Sequence, residues 1–231
     1  MVRILSVRRG FLADHSSTSY EFLAVDKPLG AKARAAVSRI SSRARPTART
    51  VSFIYHAEGY DIPGGWEPLL RKHYDVMYSE SYDWWTCAVA FDTTNKGLAS
   101  KLKKYAFDGI DGLGVSVQHK QGRVIVSISC MLNAGALSEG AWEEPHYDED
   151  EDEDDDLVDD GGVATDDSLL DLLARLRACL MRGECEPLYA VWEEYGSDDE
   201  EEDEEDSPPK PKKTAKGGAV ASELAGMLIR P

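Results

Sequence analysis

Apolar positions along this 231-residue chain follow two rhythms. Alternation with a period of two marks residues 50–56, where Val51, Phe53 and Tyr55 share one side. It also marks residues 123–130, where Val124, Val126 and Ile128 do so. Tyr20–Val25 is a further strand, closed by Asp26-Lys27-Pro28 because proline cannot continue a ladder. Val115–His119 pairs with 123–130 as a hairpin across Lys120-Gln121-Gly122. The run Asp83–Phe91 (DWWTCAVAF) is aromatic and apolar, without glycine or proline. It reads as a buried strand at the centre of the domain, sending Trp84 and Trp85 to opposite sides. A short alternating piece, Val2–Val7, adds a possible N-terminal strand.

The second rhythm is helical. Leu29, Ala33, Ala36, Val37 and Ile40 space a helix over 29–40. Trp66, Leu69, Leu70, Tyr74 and Met77 space another over 66–77, with Pro68 in its first turn. Thr93-Thr94-Asn95 caps a third over 96–105, with Leu98, Leu102 and Tyr105 inward. Leu169, Leu172, Leu173, Leu176 and Leu180 make 168–181 the strongest helix, stopped by Gly183. Residues 186–195 follow as its hairpin partner, offering Leu188, Tyr189 and Trp192, and 219–229 reads as a terminal helix. The pattern predicts an α+β fold: a mixed or antiparallel sheet covered by helices on one face, followed by a helical hairpin appendage. It divides the chain into an α+β domain (1–135), an acidic linker (136–167), the hairpin (168–196), and an acidic, Pro/Lys-rich tail with a short helix (197–231).

Charge sharpens those boundaries. The net charge is −17, yet residues 1–50 carry ten Arg or Lys against three Asp or Glu. Residues 139–167 hold sixteen acids and no Arg or Lys, and all nine residues of 198–206 are acidic. Such stretches repel themselves and bury little, so they read as tethers. The overall sign disfavours nonspecific binding to nucleic acid or anionic lipid. No apolar run reaches eighteen residues and no secretory leader is recognisable, which points to a cytoplasmic protein outside the membrane.

No catalytic or cofactor motif stands out. The glycines of 107–114 match neither a phosphate-binding loop nor a dinucleotide fingerprint. Cys87, Cys130, Cys179 and Cys185 form no CxxC pair, and no metal-ligand spacing links His56 with His73, so neither cofactor nor metal is expected. The acid-rich linker lacks the ligand order of a calcium loop. His56, Glu58, Asp61, His73, Asp75 and Glu80 are the raw material for an acid–base or metal site across one strand–loop–helix unit. Arg39, Arg43, Arg45 and Arg49 form the one dense basic patch, open to phosphate, nucleic acid or an acidic partner.

Two blocks carry a resemblance. Residues 20–29 (YEFLAVDKPL) with 40–47 (ISSRARPT), and residues 176–189 (LRACLMRGECEPLY), resemble the opening and the later helical segment of an uncharacterised bacterial protein family. That family's segments read approximately YYEF-A-D-PL, STRA-ITPT and LR-ELL-GD-R-LYL. Here Pro46 replaces the usual Ile, and the segment after His56 departs from the family pattern. The resemblance implies a bacterial cytoplasmic protein and carries no catalytic residue. The expected function is a noncatalytic protein-interaction module, presenting Arg39, Arg43, Arg45, Arg49, Trp84, Trp85, Leu173, Leu176 and Trp192. Its hairpin would dock on a partner or within the chain. A hydrolase or metal-dependent enzyme around His56 and His73, and a nucleic-acid module using Arg39–Arg49, are the alternatives.

Overall fold

The computed structural model describes residues 18–42, 44–55, 61–81, 84–133, 168–196, 210–213 and 218–231. The expected strand at 2–7, the tether at 136–167 and the acid run at 198–206 lie outside them. Eight strands form one sheet: β1 Thr18–Leu23, β2 Thr50–Tyr55, β3 Val76–Ser81, β4 Trp84–Asp92, β5 Phe107–Asp108, β6 Gly114–Lys120, β7 Arg123–Leu132 and β8 Leu228–Ile229. Their order is β2-β1-β3-β4-β7-β6-β5, with β8 also against β7, and every pairing is antiparallel. The tryptophan strand β4 is the middle strand of that order, as its composition predicts.

Local signals set several joints. Gln121 and Gly122 both have positive φ (55° and 81°), the twist that a two-residue link between β6 and β7 requires. The Asn95 side chain accepts from the Leu98 amide and starts α3, Lys96–Leu102. Gly183, at φ +74°, ends α4, Ser168–Met181, where a side chain would be strained.

The six helices among the described residues divide between the two faces of the sheet. α1 (Ala31–Ser38) and α2 (Glu67–Lys72) bring Val37, Leu69 and Leu70 onto Phe22, Phe53, Met77, Ala88 and Ile125. The other face carries Val76, Tyr78, Trp85, Cys87, Val89, Val126 and Ile128. It is covered by α3, α4, α5 (Glu186–Tyr195) and α6 (Gly218–Ala225). The fold is thus the expected antiparallel sheet with helices. Helices lie on both of its faces rather than one, and the C-terminal helical segment supplies one of the two covering layers.

Two elements differ from the sequence reading. The helix expected to run to Met77 stops at Lys72, and residues 76–81 form β3. The Asp75 amide donates to the Leu23 carbonyl (2.9 Å) and the Ala90 amide to the Asp75 carbonyl (2.7 Å), so this backbone bridges β1 and β4. At the C-terminus the helix ends at Ala225, ahead of Gly226, and residues 228–229 join the sheet as β8.

Candidate binding surface

Among the described residues, those proposed for acid–base chemistry are held by separate partners. His56 and Glu58 lie outside the described residues. Asp61 accepts from the Tyr20 hydroxyl and from the Ile62 amide, both at 2.6 Å. Burial, and then that carboxylate, push the Tyr20 phenol above its ordinary range. Asp75 is held elsewhere. One of its oxygens accepts from the Val25 and Asp26 amides (2.8 and 3.0 Å), the other from Arg123 (2.8 Å). Tyr20 lies within β1 and Val25 just beyond its end, so the two carboxylates are held by different parts of the chain. Glu80 lies on the opposite face from Tyr20's ring, 8% exposed, across from Trp85 and Ser19.

His73 closes α2, its amide donating to the Leu69 carbonyl (2.8 Å). Burial and the neighbouring Lys72 charge hold its imidazole below the ordinary histidine pKa. The neutral ring is therefore the form the fold accommodates. The stability it allows is present above about pH 6.5 and falls away as the pH drops through the lower folded value. An NMR titration should show the His73 ring protonating below pH 6.5; a midpoint above 7 would contradict this placement.

The thiols are poorly suited to nucleophilic work. All four cysteines are free and buried. A hydrogen bond to Cys87, followed by burial, raises Cys130 well above the ordinary thiol range, and burial raises Cys179 and Cys185. Reactive cysteines need the opposite shift. Among the described residues, no three of His, Cys, Asp and Glu gather as a metal site, and no helix is long and apolar enough to cross a membrane.

The basic patch divides. Arg39 and Arg45 are exposed, and Arg43 lies outside the described residues. Arg49 donates to the carbonyls of Ala24 and Val25 (3.0 and 3.1 Å), fixing the chain as it leaves β1.

The hairpin's apolar stripe is occupied within the chain. Leu173 and Leu176 are 0% and 1% exposed in the sheet–helix core. Trp192 is nearly buried too, with the Lys210 ammonium 5.2 Å from its ring centre. Arg177, missed in the sequence reading, projects from α4 into the sheet end. It donates to the Ala90 carbonyl (2.7 Å) and to Asp26 (2.5 Å). The signal was present: Arg177 is four residues after Leu173 and three before Leu180, on the apolar stripe itself.

Of the two tryptophans, Trp85 enters the core against Tyr78, with ring centres 5.8 Å apart, while Trp84 is 44% exposed. Strand register places Trp84 in one cross-sheet row: Tyr55, Thr18, Ser81, Trp84, Met131, Ile229. Trp84 and Ile229 are two of the three exposed large apolar side chains among the described residues, and half-buried Met131 stands between them. The next row along the same face carries Ser79, Thr86 and Ser129. Behind the patch, the buried Tyr195 hydroxyl accepts from the Met131 amide (3.1 Å) and donates to the Ile229 carbonyl (2.9 Å), locking α5, β7 and β8 together. Met131 and Ile229 escaped the sequence reading because β8 exists only through its pairing with β7. The chain matches no protein-family model and no curated protein.

Proposed function

We propose that this protein is a noncatalytic interaction module that binds a protein partner through the Trp84–Met131–Ile229 row. The observation that carries this reading is the gathering of exposed apolar side chains into one rigid row of a hydrogen-bonded sheet. A tryptophan on such a platform loses little freedom when covered and brings a large contact area. Neutral hydroxyls of Thr86 and Ser129 border it, able to satisfy polar groups at the edge of an interface.

The partner's chemistry follows from where the chain goes next. β7 ends one residue beyond Met131, at Leu132, and the acid-rich sequence of 139–167 begins seven residues later. A partner with an apolar centre ringed by Lys and Arg satisfies both features, and opposite charge would speed the encounter. The fixed positions of Asp61 and Asp75 and the raised thiols give the enzyme alternative no comparable support. In this reading the protein works in a bacterial cytoplasm, as the block resemblance implies.

The test is Trp84→Ser in the full chain, with a photo-crosslinking residue at Thr86. We expect basic proteins to be crosslinked by the parent, and a captured partner, once purified, to bind Trp84→Ser about 30-fold more weakly, the scale of a central tryptophan. The melting temperature should hardly change, since the indole is exposed. Unchanged affinity, or a captured set without basic character, would overturn the proposal.

A further inference from the structure

A second surface carries its own inference, independent of the Trp84 row. Residues 210–213, Lys-Pro-Lys-Lys, run as an irregular segment along α5 and the short 3-10 turn Lys103–Tyr105. Pro211 is buried while the three lysines are exposed. The Lys210 ammonium lies 5.2 Å from the ring centre of Trp192, and that of Lys213 lies 5.2 Å from the ring centre of Tyr189. These two rings pack together at 6.0 Å. The Tyr105 hydroxyl donates to the Lys212 carbonyl (2.6 Å), and Glu193 pairs with Lys213 (3.4 Å).

Each contact reads a different property: a buried proline, a backbone carbonyl, and two cations over ring faces. Grooves that recognise extended proline-rich segments combine the first two features, with a charged neighbour setting specificity. We infer that Tyr105, Tyr189, Trp192 and Glu193 form a recognition site for an extended proline–lysine peptide, with residues 210–213 as its tethered occupant. The two cation–ring contacts and the Glu193–Lys213 pair are of the weak, solvent-exposed kind. The segment therefore holds the groove mainly through the high local concentration its tether gives it, and a peptide of the same chemistry replaces it once that advantage is removed.

The test uses the full chain carrying Lys210→Ala, Pro211→Gly and Lys213→Ala together. The probe is a labelled peptide with the sequence of residues 207–214. By fluorescence anisotropy, the triple variant should bind it at least tenfold more tightly than the parent does. Adding Tyr105→Phe should weaken binding at least threefold, and a probe with glycine for every proline at least tenfold. Equal binding by parent and variant, absence of binding to the variant, or equal binding of the glycine probe would overturn the inference. The last result would reduce the attraction to the acid runs alone. Trypsin cleavage after Lys212 and Lys213 gives a second reading on the otherwise unaltered chain. Tyr105→Phe should speed it severalfold, and an unchanged rate likewise counts against the site.

Discussion

A chain stopped at residue 167 should fail to fold, although the sequence alone marks that point as a domain boundary. Leu169, Leu170, Leu172, Leu173, Leu176, Leu180 and Leu188 are each no more than 2% exposed, packed with the face that carries Tyr78, Trp85, Val89, Val126 and Ile128. A fully buried leucine contributes roughly 1.5–3 kcal/mol. Seven of them already match the whole net stability of an ordinary domain, roughly 5–15 kcal/mol. Arg177 adds a buried polar anchor to the Ala90 carbonyl, and Arg175 forks onto both oxygens of Glu223 at 2.8 Å, tying α4 to α6. Truncation would also expose the apolar face of β3, β4 and β7 to other chains. The expected result for residues 1–167 is aggregation, or a species with no near-ultraviolet circular dichroism and no cooperative melt. A monomer melting within about 5 °C of the full chain, a small shift for a domain of this size, would show that the helices are a detachable layer after all.

What could be read from the sequence was what local chemistry decides. The centrality of β4, the Gln121-Gly122 link, the Asn95 cap and the Gly183 stop each depend on a few neighbouring residues. What escaped depends on partners far along the chain. Tyr74 and Met77 continue the helical spacing of Leu70, so nothing local forbids a helix there. The decision lies with the backbone bonds that join Asp75 to Leu23 of β1 and to Ala90 of β4. β8 is two residues long and has no pattern of its own. The destination of the leucine stripe was open for a related reason. An amphipathic helix announces that it must be covered, not by what. The candidate site shows the same division. Alternation sent the two tryptophans to opposite sides, but the folded sheet was needed to show that Trp84 is the exposed one, beside Met131 and Ile229.

Asp75→Ala should destabilise the protein by about 3–5 kcal/mol, the range for removing one member of a buried, hydrogen-bonded charge cluster. The carboxylate stands where β1, β3, β4 and β7 end together. Removing it strands the Val25 and Asp26 amides and takes an acceptor from Arg123. Arg123 is itself buried to 14% side-chain exposure and also donates to the carbonyls of Leu70 and Tyr74 (both 2.8 Å). Arg177, at 4% side-chain exposure and 3.8 Å from Asp75, loses part of its countercharge and keeps Asp26. Asp75→Asn keeps an acceptor oxygen in nearly the same place and should cost about half as much, since charge assistance roughly doubles a hydrogen bond. Urea denaturation distinguishes these outcomes: the midpoint should fall in the order parent, Asn, Ala, with an unchanged slope. The same measurement separates this structural role from a catalytic one. A carboxylate held in a site for chemistry is commonly a strained one, and its removal leaves stability unchanged or raised. A loss below about 1 kcal/mol for Asp75→Ala, the cost of a single ordinary hydrogen bond, would mean that the Asp75 cluster does not hold the sheet end. It would also return Asp75 to the acid–base residues from which its amide and guanidinium partners now remove it.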